Sequence, residues 1–367
     1  MKICERCMMD ETLRSIINNV GKPGRCDICH QETLHAYDTD KHNDLTPYFE
    51  QLIRIYKPFE LTDSEVPQSG RKFLQSFIHE KWNIFTKSTA EDQIGKALIA
   101  ICPEMYHLDK RLFEGLVFLE NAYNADYLED HALFRNFTWD AFAINIKQVN
   151  RFHSNFLNLD LLQKFCSFLK MNYRKGQLFY RCRLSNDSTG YAKEKMGAPP
   201  IECTQDNRIS SRGIRCLYLA ESEETTIFES RAAKYDYASI GTFELQQDIS
   251  VVDLTKIKSI SPFIDPDGMV IEELAVNRNS LEKIDEILGK PVRKSDSYLD
   301  YIPTQYIADY IKSITEKGKQ VYQGIRYKSV MHDEGYNVAA FDPDLFLCVN
   351  VYVKEINDIN YHFNRIK

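Results

Sequence analysis

The strongest constraint on this chain lies in its first thirty residues. Cys4-x-x-Cys7 is followed, after 18 intervening residues, by Cys26-x-x-Cys29. Each Cys-x-x-Cys turn can present two thiolates to one side of a cation, and two such turns complete a tetrahedron. The spacing predicts one structural Zn2+ held by Cys4, Cys7, Cys26 and Cys29. All four positions are filled by sulfur, which leaves no open coordination site for chemistry. Gly21, Pro23 and Gly24 are expected to supply the tight turn before the second pair, and His30 reads as a neighbour rather than a ligand. No apolar run approaches the length of a membrane span, and the N-terminus lacks a signal-peptide pattern. The expected location is therefore the cytoplasm, where ten cysteines do not imply a disulfide framework.

Beyond this unit the texture changes twice, which predicts three parts: 1–45 binding zinc, 46–172 mostly helical, and 173–367 mixed. Thr46-Pro47 reads as an N-cap followed by an N1 proline, ahead of apolar residues at helical spacing. Ser88-Thr89-Ala90-Glu91 has the capping-box pattern. Apolar periodicity also predicts helix over 112–119, 139–149 and 159–169. After residue 171, apolar runs at 177–184, 214–220, 240–245, 249–254, 324–328, 337–341 and 345–353 read as strands, with helices at 223–233 and 303–314. The fold class is α+β.

Charge narrows the ligand class. The whole chain carries −7, which disfavours nucleic acid as the main ligand. Residues 171–216 nevertheless hold nine Lys/Arg against four acids, a local +5 that suits a compact anion.

A series of separated blocks in the last part carries more information. They are Phe179-Tyr180-Arg181-Cys182-Arg183, Gly197-Ala198-Pro199-Pro200, Arg208-Ile-Ser-Ser-Arg-Gly213 and Leu217-Tyr218-Leu219-Ala220. Thr225-Thr226-Ile227-Phe228-Glu229-Ser230-Arg231, Val252-Asp253-Leu254-Thr255, Thr304-Gln305-Tyr306, Gly324-Ile325-Arg326-Tyr327-Lys328-Ser329 and Asn337-Val338-Ala339-Ala340-Phe341 follow. In order and spacing these resemble the RES domain, best known from RES–Xre toxin–antitoxin modules, over roughly residues 175–350. The zinc pattern and helical segment resemble the accessory region that precedes some RES domains. The resemblance implies an ADP-ribosyltransferase-like fold that consumes NAD+ as a phosphorylase, glycohydrolase or ADP-ribosyltransferase. It further implies a toxin or antiphage-defence role, with an antitoxin or defence-system regulatory protein as partner; homo-oligomers are compatible with it. By motif position the family arginine is Arg181, or Arg183 two residues on. Tyr218 takes the place of the tyrosine, Glu229 the glutamate and Ser329 the serine, with Arg208, Arg231 and Gln305 as further pocket residues. The chain departs from the usual pattern at Cys182, where an aromatic often stands, and at Ile209-Ser210-Ser211, where Trp-Asn-Pro often follows the arginine.

The residue chemistry fits that reaction. Cleaving the nicotinamide–ribose bond expels a group already cationic in the substrate, so no general acid is required. An oxocarbenium-like transition state needs a nearby carboxylate, the role expected of Glu229. Arg181 is expected to clamp the pyrophosphate with its planar fork. Tyr218 should stack on the nicotinamide, and Ser329 should hydrogen-bond the carboxamide or a ribose hydroxyl. An alternative from another class is a zinc-dependent nucleic-acid- or protein-binding adaptor with a degenerate RES domain. The segment 1–45 has no dense Lys/Arg stripe to favour it.

Overall fold

The computed structural model describes residues 1–263, 270–290 and 298–359. These form two compact units: Met1–Phe137 with Ile257–Leu281, and Thr138–Lys256 with Glu282–Lys367. No helix among the described residues is long and apolar enough to cross a membrane.

The first unit opens with an antiparallel sheet of β1 (Lys2–Cys4), β2 (Lys22–Arg25) and β3 (Glu32–Asp38), in the order β1-β3-β2, and one helix, α1 (Glu11–Val20). Asp10 caps α1 by accepting from the Leu13 N–H at 3.0 Å, and Leu13 and Ile17 are buried beneath it. The expected turn at residues 21–24 is instead mostly strand. Pro23 and Gly24 lie in β2, and the chain reverses over residues 27–29, with His30 in a left-handed conformation at φ 58°. Gly21 is required for close approach rather than for turning: a Cβ there would lie 2.6 Å from the Ile17 carbonyl oxygen.

Next come α2 (Thr46–Ile53), β4 (Tyr56–Pro58), β5 (Lys72–Phe73), α3 (Leu74–Lys81), α4 (Glu91–Ile101), α5 (Pro103–Leu108), α6 (Arg111–Glu114), β6 (Leu116–Leu119) and α7 (Ala125–His131). Phe49, Leu52, Ile78, Trp82, Ile94 and Leu98 fill their core. Two expected caps are used differently. Thr46 lies inside α2 and donates its hydroxyl to the Ile101 carbonyl at 2.7 Å. Ala90 caps α4 without a side-chain bond, while Glu91 accepts from the Ser76 hydroxyl. The segment 112–119 is helical only to Glu114. After Gly115, the Val117-Phe118 run becomes the middle strand of the sheet β4-β6-β5, because a β-branched and an aromatic residue favour strand once the helix has ended.

The second unit begins with α8 (Trp139–Ile144), a π-helical turn (Asn145–Val149) and α9 (Leu159–Phe168). Then follow β7 (Lys170–Tyr173), β8 (Leu178–Ser185), β9 (Leu217–Ala220), α10 (Glu223–Glu229), β10 (Tyr237–Leu245) and β11 (Ile249–Asp253). The chain continues through α11 (Ile271–Leu288), which enters this unit at Glu282, and α12 (Ile302–Ser313). A small hairpin, β12 (Thr315–Glu316) with β13 (Lys319–Gln320), precedes β14 (Gly324–Lys328), β15 (Tyr336–Ala340) and β16 (Phe346–Glu355). The buried positions of α11 mix the polar Asn277 and Arg278 with the apolar Ile271, Leu274, Leu281, Ile284 and Leu288, and the polar pair interrupts its apolar pattern.

Eight strands form one mixed sheet, β16-β10-β8-β9-β15-β14-β11-β7, in which only β11 and β14 pair in parallel among the described ladders. Ladder register sorts the residues onto two faces. Tyr327 pairs with Asn337, Asn337 with Ala220 and Tyr218 with Ala339, so Tyr218, Tyr327 and Asn337 share one face. The other face packs Phe179, Leu217, Leu219, Phe243, Val338 and Ala340 into a core with Tyr173 and Val251.

At the edge of that core sits Arg326, 9% exposed. It donates bidentately to Glu221 at 2.7 and 3.0 Å, to Asp253 at 3.1 Å and to Thr255 at 2.9 Å. Tyr173 donates to Glu221, and the Tyr336 ring lies 3.8 Å from the guanidinium carbon. Burial opposes the Glu221 charge, but hydrogen bonds from Arg326 and Tyr173 outweigh it and hold that carboxyl below its ordinary pKa. Its contribution to stability is therefore complete above the unfolded carboxylate value of about 4.3 and is lost as pH falls through the lower folded value. Arg326→Leu should cost this unit about 3–5 kcal/mol in urea unfolding, because it leaves the buried Asp253 and the half-buried Glu221 without their cation. A loss below about 1 kcal/mol would mean that solvent already screens the cluster.

Candidate active site and cysteine cluster

A cavity of about 360 Å³ opens beside the last turn of α10. Glu229, the final residue of that helix, lines it together with Tyr218, Tyr327 and the cations Arg208, Arg231 and Lys290. α10 starts where Ser222 accepts from the Thr225 N–H at 3.2 Å. It is seven residues long, so the cap and the glutamate lie at opposite ends of one short rod. A carboxylate at a helix C-terminus gains nothing from the helix dipole, and its support comes from elsewhere. Ser329 donates to Glu229 Oε1 at 2.6 Å, and Asn337 Nδ2 donates to the same oxygen at 2.7 Å. Arg231, two residues on, adopts a left-handed φ of 53°, a strained state for a long side chain.

Ser329 is 4% exposed, and its Oγ accepts the backbone N–H groups of Met331 and His332 at 3.2 and 3.1 Å. Its single proton is committed to Glu229. Here Ser329 therefore orients the carboxylate, whereas the sequence suggested a direct bond to a ligand. Tyr218 is held by Ser210 at 3.1 Å and by Asn207. Burial, then the neighbouring Cys216, raises its pKa far above the ordinary phenol value, so the phenol stays neutral. Gln305 does not line the cavity. Its Nε2 reaches Asn207 O at 2.9 Å, Asp206 Oδ1 at 3.2 Å and Ser210 O at 3.3 Å, and so ties α12 to the loop that carries Arg208. Arg208 in turn donates to the Lys290 carbonyl at 3.0 Å.

The two candidate arginines of β8 separate cleanly. Neither lines the cavity. Arg183 Nη1 donates to the Lys195 carbonyl, and its guanidinium lies 4.7 Å from the Tyr191 ring, so it braces the loop after β8. Arg181 Nη1 is fully enclosed with no hydrogen-bond partner among the described residues. Burial, reinforced by the charge of Arg183, pulls its pKa down to about 10, while Cys216 and Tyr218 act in the opposite sense. β8 and β9 share one ladder pair, Tyr180 with Ala220.

Three participants were not singled out from the sequence. Asn337 is a buried polar residue inside an otherwise apolar strand, and that interruption was its signal. Tyr327 lines the cavity with Glu229, and its pKa is raised by burial and then by the Glu229 charge. Lys290 follows the end of α11, a helix the apolar pattern did not reveal.

In the first unit, Cys4, Cys7, Cys26 and Cys29 converge. Sγ separations are 3.6 Å for Cys4–Cys7, 3.6 Å for Cys4–Cys29 and 3.8 Å for Cys7–Cys26, and all four sulfurs lie within 4.8 Å of one another. Four thiolates at about 2.3 Å from a tetrahedral ion would be about 3.8 Å apart. The cluster can hold a metal ion. The Cys7 thiol, joined by backbone N–H groups of Cys29, Ile28 and Cys4, lowers the Cys26 pKa against the effect of burial.

With this geometry in view, comparison with known proteins adds one finding. The RES domain model matches residues 178–364, just over half of the chain. The protein belongs to the RES domain family, and membership is consistent with an NAD+-related enzymatic function. No curated protein and no solved structure matches the chain.

For the cysteine cluster we expect about one metal equivalent per chain by elemental analysis and its loss in Cys26→Ser, accompanied by unfolding of the segment that the site closes. Stoichiometric absence of metal from protein prepared without chelator would refute the assignment.

Proposed function

We propose that this protein is an NAD+-consuming enzyme that cleaves the nicotinamide–ribose bond at the Glu229 cavity. The observation that carries the reading is the fixed carboxylate: two donors engage one oxygen of a glutamate that lines a cavity bordered by several cations. A preorganised negative charge of this kind stabilises a developing oxocarbenium ion without having to reorient during the reaction. The departing nicotinamide becomes neutral, so the site needs no acid beside it. Tyr218, neutral and anchored at its hydroxyl, offers a ring face to the cationic nicotinamide. Arg181 stays our candidate for the pyrophosphate clamp: it lies outside the cavity lining, and its enclosed Nη1, with no hydrogen-bond partner among the described residues, would engage a phosphate oxygen only once a ligand had opened its cover. Arg208 and Lys290 are cations on the cavity wall for the same ligand. Transfer of the ribosyl cation to phosphate, to water or to a protein side chain all pass through this step.

We further propose zinc as the ion of the four-cysteine cluster, with a structural role, since tetrahedral four-sulfur sites favour it. The division into 1–45, 46–172 and 173–367 is proposed as zinc-binding, accessory and catalytic parts. The first two would localise or control a cytoplasmic toxin or defence effector, through an antitoxin or regulatory partner.

The test is mass spectrometry of NAD+ incubated with the full chain, with and without phosphate. Intact NAD+ in both arms, with candidate partner and target proteins also supplied, would sink the proposal. Glu229→Gln should lower single-turnover cleavage by roughly 10²-fold or more while calorimetric NAD+ affinity changes little. Arg181→Ala should weaken binding instead, and Arg183→Ala should leave it near wild type because that guanidinium is already engaged. Full turnover by folded Glu229→Gln would show that the carboxylate is not catalytic.

A further inference from the structure

Glu229 would be a loosely held side chain if it stood alone. It ends a short helix, is exposed to the cavity, and a glutamate has three side-chain torsions to restrain. Both restraints act on Oε1, from Ser329 just beyond β14 and from Asn337 in β15. Oε2 accepts no hydrogen bond from a described residue. Asn337 is 5% exposed, and its strand is paired on both sides, with Tyr327 and with Ala220. Its amide orientation follows from its neighbour, because the opposite flip would set a carbonyl oxygen against a carboxylate oxygen. A buried amide donor is costly unless paired, so Asn337 and Glu229 each satisfy the other.

We propose that Asn337 is a positioning residue of this site. It acts through Glu229, holding Oε1 against the sheet so that Oε2 is the oxygen offered to the ribose. Ser329 shares the task and is itself oriented by two backbone N–H groups, so the carboxylate is gripped from two strands at once. The catalytic part of this inference rests on the NAD+ reading, while the contact itself does not. Other charged or titratable groups around the carboxylate are Arg208, Arg231, Lys290, Lys328, Tyr218 and Tyr327, and none is altered in the variants below.

Two substitutions of similar volume test the proposal in the full chain. Asn337→Leu removes the donor, and Asn337→Asp replaces it with a second negative oxygen. For nicotinamide release we expect kcat to fall by about 10-fold or more with KM within about 3-fold, since the lost interaction orients the group that stabilises the transition state. A purely structural role would instead lower the melting temperature and leave kcat and KM of the folded protein near wild type. A second readout needs no NAD+. With 13C-labelled glutamate, the Glu229 side-chain carboxyl resonance, assigned by its loss in Glu229→Gln, should shift in both variants because its hydrogen-bond partner has changed. An unchanged resonance would overturn the proposal whatever the enzyme does. A shifted resonance in a protein inert towards NAD+ would support the contact and reject the proposed reaction.

Discussion

The buried charge of Arg326 organises the second unit. One guanidinium holds Glu221, just past the end of β9, and Asp253, at the end of β11, from its own place in β14. The buried Asp253 is tolerable in the core only while that cation is present, and the cation only while its two carboxylates are. The consequence reaches the opposite face of the sheet. Glu221 leads directly into α10, so fixing it sets where the helix begins and where Glu229 ends. Arg326 is followed by Tyr327, which the same strand must turn to the other side.

The sheet thus divides two tasks that would conflict on one surface. Its apolar face buries Phe179, Leu219, Phe243 and Val338 and supplies the hydrophobic driving force. Its polar face carries Tyr218, Tyr327 and Asn337 beside the Glu229 cavity. Period-two alternation lets adjacent residues serve both, as Arg326 and Tyr327 or Asn337 and Val338 do. A one-residue slip in β15 would exchange Asn337 for Val338 and disarm the carboxylate.

Several residues are in the expected region with a different duty. Ser329 meets Glu229 rather than open space, Gln305 braces the loop behind Tyr218, and Arg183 holds the segment after β8. Thr46, an N-cap by pattern, instead ties α2 to the end of α4. In each case the residue type was informative, because a hydroxyl, amide or guanidinium near a core must find a partner. Which partner it found depended on elements distant in sequence.

What the sequence alone determined was whatever acts over a few residues or is written as spacing: the two Cys-x-x-Cys turns and the strands around Tyr218 and Asn337. Those interactions close over three or four residues, so their geometry follows from the local backbone. Only the tertiary structure decided how Glu229 is held. Its donors lie 100 and 108 residues away, brought to one oxygen by ladder register and by the length of α10. It also left Arg181 Nη1 enclosed and, among the described residues, unpartnered, and made an unforeseen helix deliver Lys290 to the cavity. A hydrogen bond is short-ranged and directional, so no local pattern encodes it; it exists once folding has placed both ends within 3 Å.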